Sequence, residues 1–321
     1  MAEKKKVKKE TLRHTVQGLW TIITNSFVTG FLQGKIYTGS LKNLCVPGMN
    51  CYSCPGALGS CPIGALQSVF SAKDYHFAFY VVGFMMLVGA ICGRFVCGWL
   101  CPFGLFQDLL HKIPFIKKIR TFKGDRILRK AKYLILAVFV VILPMCVADA
   151  LGIGEPWFCK YICPVGTLEG GIPLVLLNEG LRQTVGFLYT WKVAILVVLI
   201  ILSVIIYRPF CKYLCPLGAI YACFNRISAV ELKCDKDKCI SCGKCERVCK
   251  MGVYPAEEAK SAECIRCGLC VKECPTKALK LSVPYIKSKG SALRCDANFS
   301  DCKNAAKDSK PIDNRDNELY N

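Results

Sequence analysis

CISCGKCERVC at residues 239–249 and CIRCGLCVKEC at residues 264–274 are one pattern written twice. Each reads C-x2-C-x2-C-x3-C. That is the ligand spacing for a pair of [4Fe-4S] clusters in which the fourth cysteine of each run crosses to the other cluster. The spacing assigns Cys239, Cys242, Cys245 and Cys274 to one cluster, and Cys264, Cys267, Cys270 and Cys249 to a second. Zinc is the competing metal for any four cysteines, and the doubled spacing disfavours it.

The rest of the chain is of a different character. Its 321 residues are 53% hydrophobic yet 21% charged, with a mean hydropathy of +0.35. The two properties are segregated: apolar residues concentrate before Tyr207, with lysines in blocks between them. There are 24 cysteines but only 3 histidines, and no C-x-x-C-H occurs, which argues against haem. Disulfide frameworks suit small secreted chains, and the charged start MAEKKKVKKE is followed by no short apolar core with a cleavage site. The formal charge of +20 lies beside apolar segments, where it reads as membrane topology and anionic-lipid contact rather than as a nucleic-acid footprint. No glycine-rich nucleotide fingerprint, P-loop or catalytic triad is present, so NAD or flavin is not indicated.

Crossing the hydrocarbon takes roughly 20 apolar residues. Ala131–Val147 and Val185–Tyr207 meet this requirement, and Phe77–Phe95 nearly does. Thr15–Gln33 is interrupted by Gln17, Asn25 and threonines, and reads either as a fourth span or as an amphipathic surface helix. Ile172–Val185 is too short and polar to span, and reads as interfacial or re-entrant. The expected fold is an α-helical integral membrane protein of about four transmembrane helices, followed by an α+β domain holding two [4Fe-4S] clusters. Its parts are a basic N-terminus (1–14), a membrane domain with Cys-rich loops (15–230), the two-cluster domain (231–283) and a polar, disordered tail (284–321). Lys112–Lys132 carries nine Lys/Arg. The positive-inside rule then puts the N-terminus, this segment and everything after Tyr207 in the cytoplasm.

A second motif recurs within the membrane part. CGWLCPFG (Cys97–Gly104), CKYICPVG (Cys159–Gly166) and CKYLCPLG (Cys211–Gly218) share a C-x3-C-P core, and CPGALGSCPIG (Cys54–Gly64) is a looser copy. Proline suits the first position of a helix, so the cysteine before it sits at the N-cap, where free N–H groups and the helix dipole favour an anionic cluster. Two such pairs make one four-thiolate site. Topology allows Cys97, Cys101, Cys211 and Cys215 to share an inner cluster. Cys159 and Cys163 fall on the outer side and would join two of Cys45, Cys51, Cys54 and Cys61. Repeat order favours Cys54 and Cys61, with Cys51 close behind, while Cys45 and Cys51 could form their own pair. Cys92 and Cys146 read as small hydrophobes within spans. Cys223, Cys234, Cys295 and Cys302 lack a motif. Arg94 and Arg208, each three residues before a cysteine pair, could neutralise a cluster but read first as membrane-edge anchors, and Lys112–Lys132 reads as a solvated loop.

CGWLCP and CKYLCP, followed by the eight cysteines from Cys239 to Cys274, resemble the NapH/NosR-type membrane polyferredoxins. The resemblance runs from about Phe77 to Val283. It implies membrane helices with two cytoplasmic C-x3-C-P motifs, a ferredoxin-like pair of clusters, and electron transfer between a cytoplasmic donor or quinol and a partner redox protein. Two departures stand out: the added set Cys45–Cys61 with Cys159 and Cys163, and Lys250 where proline is usual. The expected function is a multi-pass membrane electron carrier rather than a stand-alone enzyme, with a ferredoxin, flavoprotein or quinol as partner. A quinol-linked oxidoreductase subunit, a redox or metal sensor, and a metalloprotein assembly factor are the alternatives.

Overall fold

The computed structural model describes residues 2–71, 76–114, 118–147 and 154–282, with the backbone path alone for 2–10 and 76–78. The expected tail at 284–321, with Cys295 and Cys302, lies outside these residues.

Four Cys-Pro steps start four helices. Helices begin at Pro62, Pro102, Pro164 and Pro216, directly after Cys61, Cys101, Cys163 and Cys215. Proline disfavours the helical region for the residue before it, and Cys101, Cys163 and Cys215 are accordingly extended N-caps. A single turn upstream carries the first cysteine of each tight pair. Phe95–Trp99 holds Cys97, Pro209–Tyr213 holds Cys211, and the π-helical turn Phe158–Ile162 holds Cys159. The Phe187–Ile205 helix packs against Pro102–His111 and against the turns around Cys159 and Cys211.

The expected set of about four spans narrows in the structure. Among the described residues, Phe187–Ile205 is the one helix long and apolar enough to cross a membrane alone. Thr15–Gln33 is broken: a helix that starts in the basic N-terminus, Ala2–Thr24, ends where the Asn25 side chain donates back to Thr21 O, and Val28–Gln33 forms a separate turn. Phe77–Phe95 is a helix only over His76–Cys92, closed by Gly93 at φ 52°. Ala131–Val147 is helical from Ala131 through Cys146, and widens into a π-helix over Leu136–Ile142 ahead of Pro144. Proline lacks an N–H and crowds the carbonyl four residues back, so the preceding turn loosens. The Ile172–Val185 stretch divides at Asn178 into Ile172–Leu177 and Glu179–Gln183.

In the C-terminal part, β1 (Glu231–Cys234) pairs antiparallel with β2 (Leu279–Ser282), with Leu232 opposite Leu281. Between the strands lie two short helices, Lys244–Arg247 and Leu269–Glu273. The two cysteine runs repeat one backbone shape. Ser241 (φ 52°) and Gly243 (φ 66°) flank Cys242, while Arg266 (φ 53°) and Gly268 (φ 79°) flank Cys267. Paired left-handed residues curl the chain around its second cysteine, and the glycines take that conformation without a Cβ penalty. The small core here is Leu232, Leu279, Cys245 and Cys270.

Candidate iron–sulfur centres

Cys239, Cys242, Cys245 and Cys274 line one cavity of about 370 Å³, together with Tyr254, Leu279 and Cys234. Cys234 is a fifth thiol that no motif predicts. Cys249, Cys264, Cys267 and Cys270 are neighbours of one another, so Cys249 is drawn from the first run to the second and Cys274 from the second to the first. Burial, with the neighbouring thiols, pushes Cys264 up to about 11.

Cys97, Cys101, Cys211 and Cys215 line a cavity of about 330 Å³ whose other walls are glycine and apolar side chains. All four are buried. The Gly218 amide donates to Cys215 Sγ at 3.3 Å, and Gln107 Nε2 donates to Cys211 Sγ at 3.3 Å. Burial pushes Cys101, Cys211 and Cys215 above the ordinary thiol value. As free thiols they would be neutral, and iron binding would deprotonate them.

The remaining set differs from the repeat-order assignment. Cys163 has Cys51, Cys61 and Cys159 among its electrostatic neighbours, and Cys51 has Cys61 and Cys159. Gly64 sits between Cys61 and Cys159, since a Cβ there would lie 3.9 Å from each. Cys54 turns away: its thiol donates to Asn25 Oδ1 at 3.6 Å, and Glu169 and Lys42 are its main charged neighbours. Cys45 is bridged to Ser60 and borders Cys61. Burial pushes Cys51 and Cys159 up to about 12.

Sequence reading also separated this set from the inner one by the thickness of a membrane. In the structure the two adjoin. Met49 lines the cavity of Cys97 and Cys211, and its Sδ stands 4.0 Å from Cys61 Sγ. Opposed topological sides had been inferred from spans that are broken or short, and the loop carrying Cys45–Cys61 folds back onto Cys101.

Several residues of these sites have no motif of their own. Arg94 and Arg208 are fully buried, not membrane-edge anchors. Arg208 grips Asp108 through Nε and Nη2 at 2.6 and 2.5 Å and donates to Cys97 O at 2.5 Å. Arg13 completes the triad at 2.9 Å from Asp108. Burial raises the Asp108 carboxyl, but Arg208 and Arg13 overcome it and hold the group down at about 2. Arg94 donates to Cys211 O and pairs with Glu263 at 2.7 Å, and Lys132 shares that carboxylate. The basic segment is not a free loop either: Arg120 and Arg129 donate to the carbonyls of Arg247 and Met251.

Among the described residues, no three Cys, His, Asp or Glu side chains converge tightly enough for a single metal ion. The thiols stand around cavities instead, as ligands of a four-iron cube must. Four buried thiols, apolar walls and N–H donors directed at sulfur fit a [4Fe-4S] group.

This arrangement is that of a protein binding several [4Fe-4S] clusters. Residues 76–123, 133–172 and 189–233 match a family described as a 4Fe-4S binding domain, and residues 261–280 match a second family of the same description. An uncharacterized protein of Methanocaldococcus jannaschii, MJ0750, is 30% identical over 63% of this chain and 78% of its own length. The putative electron transport protein YccM of Escherichia coli is 28% identical over 72% of this chain and 62% of its own. The regulatory protein NosR of Pseudomonas aeruginosa is 26% identical over 50% of this chain but 20% of its own. No solved structure matches. The chain belongs to the NapH/NosR-type polyferredoxins, and its role is iron–sulfur electron transfer.

Proposed function

We propose that this chain is a membrane-embedded relay that carries single electrons between a soluble redox protein and a membrane or membrane-side partner. The observation that carries the reading is a backbone contact. Gly98, beside Cys97, presses on Ile265, between Cys264 and Cys267, so closely that a Cβ on Gly98 would stand 2.3 Å from the Ile265 carbonyl oxygen. Trp99 Nε1 donates to Arg266 O at 3.1 Å, and Asn225 Nδ2 donates to Cys264 O at 3.0 Å. These contacts hold the ferredoxin-like half against the inner cysteine set.

When bound, [4Fe-4S] groups supply reversible one-electron chemistry. The chain's residues do the rest. The cysteines space the centres in series: Cys239, Cys242, Cys245 and Cys274, then Cys249, Cys264, Cys267 and Cys270, then Cys97, Cys101, Cys211 and Cys215. Buried phenylalanines Phe103 and Phe210 exclude water. Arg94 and Arg208 offset the negative charge that four thiolates bring into a low-dielectric site.

Membrane attachment rests on Phe187–Ile205 and on apolar side chains that face outward from it and from two other helices. Phe79, Met86 and Leu87 on one helix, Leu134, Ile142 and Met145 on another, and Phe187, Val198 and Ile201 are all exposed. Bands of this size are a lipid-facing feature rather than a solvated one. The basic segment 118–132 and the ferredoxin-like half then share the cytoplasmic face.

The test is anaerobic purification of the full chain in detergent, with iron and labile-sulfide analysis and EPR of the reduced state. C97S and C215S should each lose one cluster, keep the two ferredoxin-type signals, and stop electron flow from a reduced soluble ferredoxin to a membrane quinone pool or acceptor protein. Undiminished flow in both variants would exclude the relay and favour a sensing role.

A further inference from the structure

Two segments of this chain build the same clasp. Cys61–Gln67 and Cys101–Gln107 both read C-P-x-G-x-x-Q. Gln67 and Gln107 are each fully buried. Gln67 Nε2 donates to Cys159 Sγ at 3.2 Å, and its Oε1 accepts from Phe158 N at 2.9 Å. Gln107 Nε2 donates to Cys211 Sγ at 3.3 Å, and its Oε1 accepts from Phe210 N at 3.2 Å. The partner strings are FCKYICPVG (Phe158–Gly166) and FCKYLCPLG (Phe210–Gly218). One template is therefore used twice, with Cys61, Cys159 and Cys163 in the places of Cys101, Cys211 and Cys215.

The template needs a fourth thiol, and Cys51 supplies it in the role of Cys97. Its Sγ lies 3.6 Å from where a Cβ on Gly166 would stand, and Cys61, Cys159 and Cys163 surround it. Next to it Asn50 is fully buried, and both polar atoms of its side chain lack a hydrogen-bond partner among the described residues. A buried amide left unsatisfied points to an absent acceptor, and cluster sulfide is one.

We propose that Cys51, Cys61, Cys159 and Cys163 bind a further [4Fe-4S] cluster, coupled to the Cys97/Cys101/Cys211/Cys215 centre through the backbone of Met49. The Met49 amide faces the Cys101 thiol, and the next amide, that of Asn50, faces the Cys61 thiol. With both sites loaded, one electron would pass between the two centres, lost by one and gained by the other, across the backbone of Met49. Gln67 and Gln107 are positioning residues, each joining the two halves of its site and hydrogen-bonding one ligand sulfur. The proposal rests on the inner set being a cluster site, and the experiment separates the two.

Anaerobically purified full-length protein is compared with C51S, C54S, C97S, Q67L and Q107L by iron and sulfide content, EPR and redox titration. C51S should lack the iron of one cluster and C54S should keep it all. Reduced wild-type protein should show spin coupling that disappears in C51S and in C97S alike. Q67L should keep its iron yet shift the midpoint of the centre that C51S removes, while Q107L shifts the one that C97S removes. Full iron in C51S with a loss in C97S overturns the proposal and leaves the inner centre standing. Full iron in both overturns the inner centre as well. A loss in C54S with none in C51S overturns the ligand set. If C51S does not accumulate, Q67L decides: a shifted midpoint supports the further cluster, and an unchanged set of midpoints overturns it.

Discussion

Arg208 puts a full positive charge beside the backbone of Cys97 with no exposure to water. Adding an electron to a cluster adds negative charge, so a nearby cation favours the reduced state. R208Q should therefore lower the midpoint potential of the inner centre most, with a smaller shift at the ferredoxin-type centre of Cys267, which the Arg208 charge also reaches, as redox titration followed by EPR would record. R208K should restore part of the shift, because lysine keeps the charge but not the two-point grip on Asp108. Asp108 answers to the same triad. D108N would leave Arg208 and Arg13 buried without a counter-charge and should cost about 3–5 kcal/mol, measurable as a lower denaturation midpoint in detergent. Its carboxyl is held below the unfolded value of about 3.9. The stabilisation it brings is therefore complete above that pH and is lost as pH falls through about 2. Cysteine spacing made the metal chemistry legible, because ligand geometry fixes local spacing. Arg94 and Arg208 were not legible in the same way, since a basic residue at the end of an apolar run looks the same whether it faces headgroups or a buried thiol.

Gly98 is a residue whose element decides its effect. It sits in the Phe95–Trp99 turn, and the Ile265 carbonyl occupies the space a side chain would take. G98A must push the ferredoxin-like half away from the Cys97 turn. The expected outcome is full iron content with slower electron transfer between the ferredoxin-type and inner centres, measured by rapid-mixing reduction followed at several wavelengths. Wild-type transfer rates in G98A would show that this contact does not set the path. Helix starts at the Cys-Pro steps were readable from sequence, because proline's effect is local. Two helices are shorter than the apolar pattern suggests, and a third keeps its length but changes its winding. Asn25 closes one helix through its side chain, Gly93 ends another in a left-handed conformation, and Pro144 widens a third. The glutamine clasp is not legible in sequence, because its meaning appears only when Gln67 meets Phe158 and Gln107 meets Phe210, about a hundred residues away in each case.

The molecule as a whole divides its stability unequally. Residues of the helical part share one large core that runs from Ile63 through Phe103, Phe158 and Tyr221. The ferredoxin-like half has a two-strand ribbon, two short helices and a core in which two of the four buried members, Cys245 and Cys270, are cluster ligands in our reading. A unit of this size buries too little apolar surface to fold without a metal or a neighbour, and ligand binding free energy becomes folding free energy in such a domain. Its remaining support is docking: Met251, Val253 and Ile265 join the large core, Glu263 lies between Arg94 and Lys132, and Arg266 donates to the Asn225 and Cys92 carbonyls. Removing iron with a chelator under reducing conditions should therefore act on one half first. Hydrogen exchange followed by mass spectrometry should show protection lost across residues 231–282, including the β1–β2 amides, while Phe187–Ile205 and Pro102–His111 stay protected. The E263Q variant should lose that protection at lower chelator concentration, because it weakens the docking that remains. Simultaneous loss over the whole chain would mean that the inner cluster holds the helical part together as well, and retained protection in 231–282 would mean that docking alone folds the domain.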